Sequence, residues 1–288
     1  MGTKVNAMKE GSQYILWTSR ASELGIKRLF NIFLHPNFIW KMSNYKETQS
    51  ISQKVQDYVR QIIERKKCER GQRAGFDEAP QKKIFLDYLL DLTDQDDRWR
   101  DEESVKEART IVVAGSDATA LSVCYVLMML AMHQEIQNKV YEEIVSIFGD
   151  DRSPTLEDLQ KMCFLELVIK ETLRLFPVGG LIARRLTKDI VLGSYVLSKD
   201  TCVCVPILCL HRDFHLWSDP LTFDSDRFLP EEVSNRHPYA YLPFSGGPRT
   251  CIGFRYAMLT MKTILSTLLR HYRVVATTYT HAFSDYFL

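Results

Sequence analysis

Apolar positions along this chain fall into blocks of helical spacing, separated by Pro, Gly and charged runs. Residues 10–35 mix aromatic and aliphatic positions (Tyr14, Trp17, Leu24, Leu29, Phe33) with a basic pair, Lys27 and Arg28, until Pro36 stops the pattern. The spacing predicts an amphipathic core helix there. Ser50 to Lys67 predicts a second helix, with Val55, Val59, Ile62 and Ile63 on one face. The charged run beyond it, from Arg65 to Arg73 and on to Gly75 and Pro80, reads as a solvated loop. Ile84 to Leu92 is a short apolar helix before an acidic linker, Asp91 to Asp97. The longest helix is expected from Asp101 to Met132, and an amphipathic one follows from His133 to Phe148, ended by Gly149. One further helix, capped by Ser153 or Thr155, should reach Phe176 before Pro177. Val178 to Pro206 alternates like strands, with a turn at Gly193-Ser194. A last helix is predicted from about Phe254 to Arg270.

Composition changes this picture little. The 288 residues are 45% hydrophobic and 25% charged, an ordinary globular balance for one large domain or two small ones. The net charge of +1 implies no nucleic-acid partner. Seven scattered cysteines give neither a disulfide framework nor zinc spacing, which favours a reducing compartment. Cys202, Cys204 and Cys209 read as small apolar fillers in a strand-like run. There is no signal peptide, and the first 40 residues hold no apolar run of spanning length. Ile111 to Met132 passes as a transmembrane helix, with Asp117 its only charge. A carboxylate near the middle would cost about 2.5–3.5 kcal/mol on insertion scales. A helix buried in a large core explains the same pattern, and a helical membrane protein stays open as the alternative.

The stretch richest in chemistry is Phe244-Ser-Gly-Gly-Pro-Arg-Thr-Cys251-Ile-Gly253, which runs straight into the last helix. Cys251 therefore sits near a helix N-terminus, where the dipole favours a thiolate. Gly246 and Gly247 open backbone torsions closed to other residues, and Gly253 leaves space for a flat ligand. Arg249 can pair with a carboxylate of that ligand. A single thiolate without neighbouring ligands is wrong for zinc and suits haem iron.

The spacing Phe244-x-x-Gly247-x-Arg249-x-Cys251-x-Gly253 resembles the haem-binding loop of the cytochrome P-450 family, the haem-thiolate monooxygenases. Four other stretches resemble the same family. Ala114-Gly115-Ser116-Asp117-Ala118-Thr119 is similar to its oxygen-activation motif on the long helix. Glu171-Thr-Leu-Arg174 matches its Glu-x-x-Arg pair, and Phe223 to Phe228 matches the segment supplying a third partner, Arg227. His211-Arg212-Asp213 matches the stretch before it, where lone histidines read as structural. There are departures: alanine replaces the family threonine at 118, and Ser225 replaces a proline. The turn at Leu197 to Asp200 lacks the family's Pro and Gly.

The resemblance implies a mainly α fold with a small β-sheet: the cytochrome P-450 fold, N-terminally truncated, with residues 1–288 as the C-terminal portion of one domain. It is closest to the insect microsomal type. It implies haem b as cofactor, a Cys251 thiolate on the iron favouring O–O cleavage, and a close approach of haem at Gly115. Asp117 and Thr119 are then the candidate catalytic residues, although Thr119 lies about 100° round the helix from position 118. Arg184 is expected at a haem propionate, with Val178 to Ile182 lining the substrate pocket. Glu171, Arg174 and Arg227 are expected to pin the cysteine loop. The expected partners are O2, a small apolar substrate (fatty-acid-like or xenobiotic), and an NADPH-dependent flavoprotein reductase. The family places such proteins on the cytosolic face of the endoplasmic reticulum membrane, through an anchor that this sequence does not carry. A truncated, catalytically impaired haem binder is the alternative, and the family's C-terminal substrate hairpin is expected to be absent or altered after Tyr272.

Overall fold

A computed structural model describes residues 12–73, 83–95, 99, 101–148 and 152–276. It is mainly helical with short antiparallel ladders, as the resemblance implies. The chain divides into two compact units, Met1–Ala114 and Gly115–Leu288.

The first unit holds α1 (Ser12–Phe30), α2 (Asn37–Ser43), α3 (Tyr45–Arg73), α4 (Phe85–Gln95) and the start of α5 (Asp101–Met132). Helix α3 turns Val59, Ile62 and Ile63 onto Leu86, Leu89 and Leu90 of α4 and onto Val105 and Ala108 of α5. Its other end packs Ile51 and Val55 with Tyr14, Leu24 and Trp40. One expectation is corrected here and another narrowed. The charged run after Lys67 is not loop: α3 continues to Arg73, because straight-chain charged residues favour helix and find carboxylates. Lys67 reaches Asp101 at 2.7 Å, Arg70 reaches Asp91 at 2.6 Å and Lys66 reaches Asp87 at 3.4 Å. Helix α1 is the expected amphipathic helix, but its core-facing stripe is narrower than the apolar spacing suggests. It buries Tyr14, Thr18 and Leu24, while Leu16, Ile26, Leu29 and Phe30 stay exposed. The end of the acidic linker and the 74–82 stretch lie outside the described residues, as do Gly149 and residues 277–288.

The second unit contains the rest of α5, α6 (Gln134–Phe148), α7 (Leu156–Lys161) and α8 (Cys163–Leu175). The strands β1 (Ile182–Arg185), β2 (Ile190–Leu192), β3 (Tyr195–Leu197) and β4 (Cys202–Val205) follow, then α9 (Ile207–Leu210), α10 (Pro230–Ser234) and α11 (Phe254–His271). Met129, Leu130, Val140, Ile144, Ile169 and Leu265 close its core, all fully buried. Helix α5 is long and apolar enough to cross a membrane, but Val126, Met129 and Leu130 are spent inside this core. Its middle, Ala114 to Asp117, is exposed.

The single helix expected up to Phe176 is two. Met162, with φ −74° and ψ 74°, breaks it. The cause is tertiary: the Glu143 carboxylate of α6 accepts the Phe164 N–H at 2.6 Å and the Leu165 N–H at 2.9 Å, capping a new N-terminus. Thr155 caps α7 in a reciprocal box with Asp158. Among the described residues the strands form two separate ladders, β1 with β4 and β2 with β3. The second turns at Gly193, whose φ of 60° needs glycine. Val191, Leu192, Tyr195 and Val196 are all exposed, so neither face of this hairpin is covered. Cys202, Cys204 and Cys209 are exposed as well, and Cys209 lies on α9; none is an apolar filler.

Candidate haem-thiolate site

The loop that carries Cys251 is built in from α8. Arg174 ends that helix fully buried, and its guanidinium forks onto Glu171 with two bonds of 2.7 Å. It also donates to the carbonyls of His211, Pro220 and Thr222 at 2.8, 2.6 and 3.2 Å. Glu171 accepts the Asp224 N–H at 2.9 Å and stands 3.5 Å from Arg227 Nε. One carboxylate thus meets two guanidiniums, and the segment from 211 to 228 is lashed to α8. Burial pushes the Glu171 carboxyl up, while Arg174 opposes that rise.

His211, read from the sequence as structural, is the next tie, although its partners were not foreseen. Its Nε2 accepts the Leu242 N–H at 2.8 Å, which leaves Nδ1 to donate to the Arg174 carbonyl at 3.2 Å. The imidazole is fully buried, and desolvation pushes its pKa down to about 4. Tyr241 adds a bond from its hydroxyl to the Lys170 carbonyl at 2.8 Å. The only sequence hint was the His-Arg-Asp stretch; a bond to a backbone N–H 31 residues on leaves no mark in a pattern.

From Leu242 the chain enters a closed ring. Ser245 and Gly247 take φ of 64° and 74°, the left-handed region. The Cys251 N–H returns to the Phe244 carbonyl at 2.9 Å, and the Thr250 hydroxyl reaches the same oxygen at 3.2 Å. A Cβ on Gly246 would stand 3.1 Å from Leu242 and Tyr239 side chains, so this position is closed from below. Gly253 caps α11, its carbonyl taking the Ala257 N–H at 2.8 Å, and a Cβ there would sit 3.8 Å from the Cys251 sulfur. The Cys251 thiol itself is exposed. Its rim is apolar: Ile252 is 89% exposed, and the Phe244 and Phe254 rings lie 6.2 Å apart.

The other predicted residues sit elsewhere. Gly115 has nothing within 4 Å of where a Cβ would be, Asp117 is exposed, and Thr119 is buried. The Ser116 hydroxyl donates to Asp117 at 3.4 Å. Arg184, on β1, is exposed and donates to the Ala183 carbonyl, and Arg249 is exposed on the loop. Neither arginine meets a carboxylate among the described residues. The geometry therefore gathers Phe244, Gly247, Cys251 and Gly253 into one ring and Glu171, Arg174 and Arg227 into one cluster. No hydrogen bond joins Asp117, Thr119 or Arg184 to the ring.

This donor set fits a haem. One accessible thiol is followed in the chain by exposed Ile252 and by Gly253, which places no side chain against the sulfur. No group of three or more His, Cys, Asp or Glu that could hold a metal occurs among the described residues, so a zinc-type site is not on offer. With no ion pair to a carboxylate among the described residues, the Arg184 and Arg249 guanidiniums are available for those of a ligand.

Comparison with known proteins agrees. The family profile described as cytochrome P450 matches residues 1–281. Cytochrome P450 4c21 of Blattella germanica is 40% identical over 283 residues, covering 95% of this chain and 56% of that protein. Cytochrome P450 4V2 of Homo sapiens is 37% identical over 287 residues, 94% of this chain and 54% of that protein. Cytochrome P450 4g15 of Drosophila melanogaster is 44% identical over 193 residues, 66% of this chain and 34% of that protein. The chain thus spans about half the length of the first two relatives. Proteins of this family bind haem b. With a profile matching nearly its whole length and the cysteine ring in place, the chain belongs to the cytochrome P450 family.

Proposed function

We propose that this chain is the haem-thiolate part of a monooxygenase, with Cys251 as the sole protein ligand to the haem iron. The observation that carries the reading is the accessible Cys251 thiol on a ring closed by Phe244 and shaped by Gly247. When bound, haem b supplies O2 activation and the insertion of one oxygen atom into an apolar substrate. The chain's own residues do the rest. Gly253 adds no side chain beside the sulfur, and the exposed apolar side chains of Ile252 and Phe254 next to it offer a surface to a flat apolar ligand. Arg184 and Arg249 are placed in this reading at the haem carboxylates. Asp117, exposed beside the bare surface of Gly115, holds and passes protons in this reading, with the Ser116 hydroxyl donating to it at 3.4 Å and Thr119 as the second candidate hydroxyl. Glu171, Arg174 and Arg227 hold the frame and take no part in chemistry.

The electron donor in this reading is an NADPH-dependent flavoprotein reductase, and the substrate is fatty-acid-like or xenobiotic. The place of work is the cytosolic face of the endoplasmic reticulum membrane. Exposed Leu29, Phe30, Phe33, Phe38 and Met42, with Lys27 and Lys41 among them, support contact with a lipid surface. One observation favours the alternative of an impaired haem binder: position 118 carries alanine, and Thr119 is buried rather than open. That alternative predicts peroxide release exceeding product when a reductase is supplied.

The test is the carbon-monoxide difference spectrum of the haem-loaded, reduced chain. A strongly red-shifted Soret band is expected, lost in Cys251→Ala and kept in Cys209→Ala. Persistence of the band in Cys251→Ala would falsify the assignment.

A further inference from the structure

Strand β4 carries Cys-Val-Cys-Val, and it pairs with β1 in a fixed register. Alternate residues on a strand share a face. Cys202 and Cys204 therefore project together, with Val203 and Val205 on the reverse side. Opposite them on the same face stand Arg185 and Ala183. Ala183 is small and leaves room beside Cys204. Arg185 is engaged by Asp200 at 3.1 Å. Arg184 pairs with Val203 and so belongs to the other face. Both thiols are exposed, and they are close enough to perturb each other: local desolvation first, and then the Cys202 thiol, push Cys204 above its ordinary value.

A direct disulfide suits this pair badly. Residues two apart on a strand are about 6.6 Å apart at Cα, near the upper limit for a bridge, so the strand would have to buckle. An atom larger than sulfur, set between the two thiols, relieves that strain. Metal ions that demand three or four ligands are not served, since no third ligating side chain completes a group among the described residues. We propose that Cys202 and Cys204 form a dithiol site for a thiophilic centre closed by two sulfurs, of the trivalent organoarsenical class. An arsenoso group, R–As=O, condenses with both thiols. Two As–S bonds form, the oxygen leaves as water with the two thiol protons, and arsenic remains trivalent. The site is independent of Cys251 and of haem.

The probe is phenylarsine oxide, added to the full chain in the presence of excess 2-mercaptoethanol, with intact mass as readout. One phenylarsine should stay on each chain and leave on addition of 2,3-dimercaptopropanol. Cys68, Cys124, Cys163, Cys209 and Cys251 have no thiol two residues away, and their adducts should be stripped by the monothiol. Cys202→Ser and Cys204→Ser should each lose the retained adduct, and Cys209→Ser should keep it. In the unmodified chain, N-ethylmaleimide added after the arsenical should spare both 202 and 204 while labelling the other cysteines. No retained adduct, retention in either single variant, loss in Cys209→Ser, or maleimide at 202 or 204 would each overturn the proposal.

Discussion

Replacing Glu171 by glutamine removes one charge from the best-enclosed ion cluster in the second unit. The carboxylate has no solvent-accessible surface and receives two bonds of 2.7 Å from Arg174 and one of 2.9 Å from the Asp224 N–H. Arg227 adds its charge at 3.5 Å. Glutamine keeps the volume but turns one acceptor into an N–H facing a guanidinium. Two buried cations then lack a counter-charge. Breaking such a pair costs roughly 3–5 kcal/mol, against a total stability of about 5–15 kcal/mol. For a unit of this size that corresponds to a fall of about 10 °C in the melting temperature. Arg174→Met should cost more, because it also strands the carbonyls of His211, Pro220 and Thr222. Urea and thermal unfolding followed by circular dichroism read both variants. A loss below about 1 kcal/mol in Glu171→Gln would mean that the carboxyl is already protonated in the fold, as burial alone would have it. That result, or a milder Arg174→Met, would refute the ionised cluster.

Acid sensitivity should be dominated by His211, with half-buried His133 moved in the same direction by desolvation. The folded pKa of His211 is about 4 against 6.5 unfolded, so only the unfolded chain takes up the proton between those values. Stability should fall as pH drops from 6.5 to about 4, by about 3 kcal/mol in all; a urea midpoint flat over that window would contradict the buried neutral imidazole. Gly247→Ala should cost about 1–2 kcal/mol through its left-handed backbone alone, since nothing lies within 4 Å of the added Cβ. Gly179→Ala, equally open and with no positive φ, is the thermal-unfolding control. Glu143→Ala should uncap α8 at Phe164 and Leu165 and lower stability by about 2 kcal/mol, with the earliest loss of amide protection in hydrogen exchange at those two residues.

Helices were legible wherever one face alone had to be buried. The apolar spacing from Asp101 to Met132 marked α5 at both ends, and the cap at Thr155 is local chemistry. The cysteine ring was legible in its spacing, which lies within ten residues, but only half in its torsions: Gly247 takes a left-handed φ as expected, while Gly246 is extended and Ser245, not a glycine, takes the second one. What failed was decided from outside the segment. Met162 is a good helix former, and only Glu143, on another helix, breaks the chain there. The charged run from Lys66 to Arg73 looked like loop until Asp87, Asp101 and Asp91 met Lys66, Lys67 and Arg70. Alternation in β4 said which residues share a face, but not that the cysteine face is bare. The bond from Leu242 to His211 has no local trace at all.

Two fastenings hold the approach to the sulfur, and they differ in kind. A guanidinium keeps its proton under any condition a protein survives, whereas an imidazole gives way. Acid would therefore loosen this region without cutting every tie. Glu171, whose carboxyl is held up by burial, loses its charge first, and the Leu242 amide slips its tether once the imidazole takes a second proton at about pH 4. The Arg174 bonds to the carbonyls of His211, Pro220 and Thr222 outlast both, so a prosthetic group gripped by that ring would be shed from a helical frame still standing.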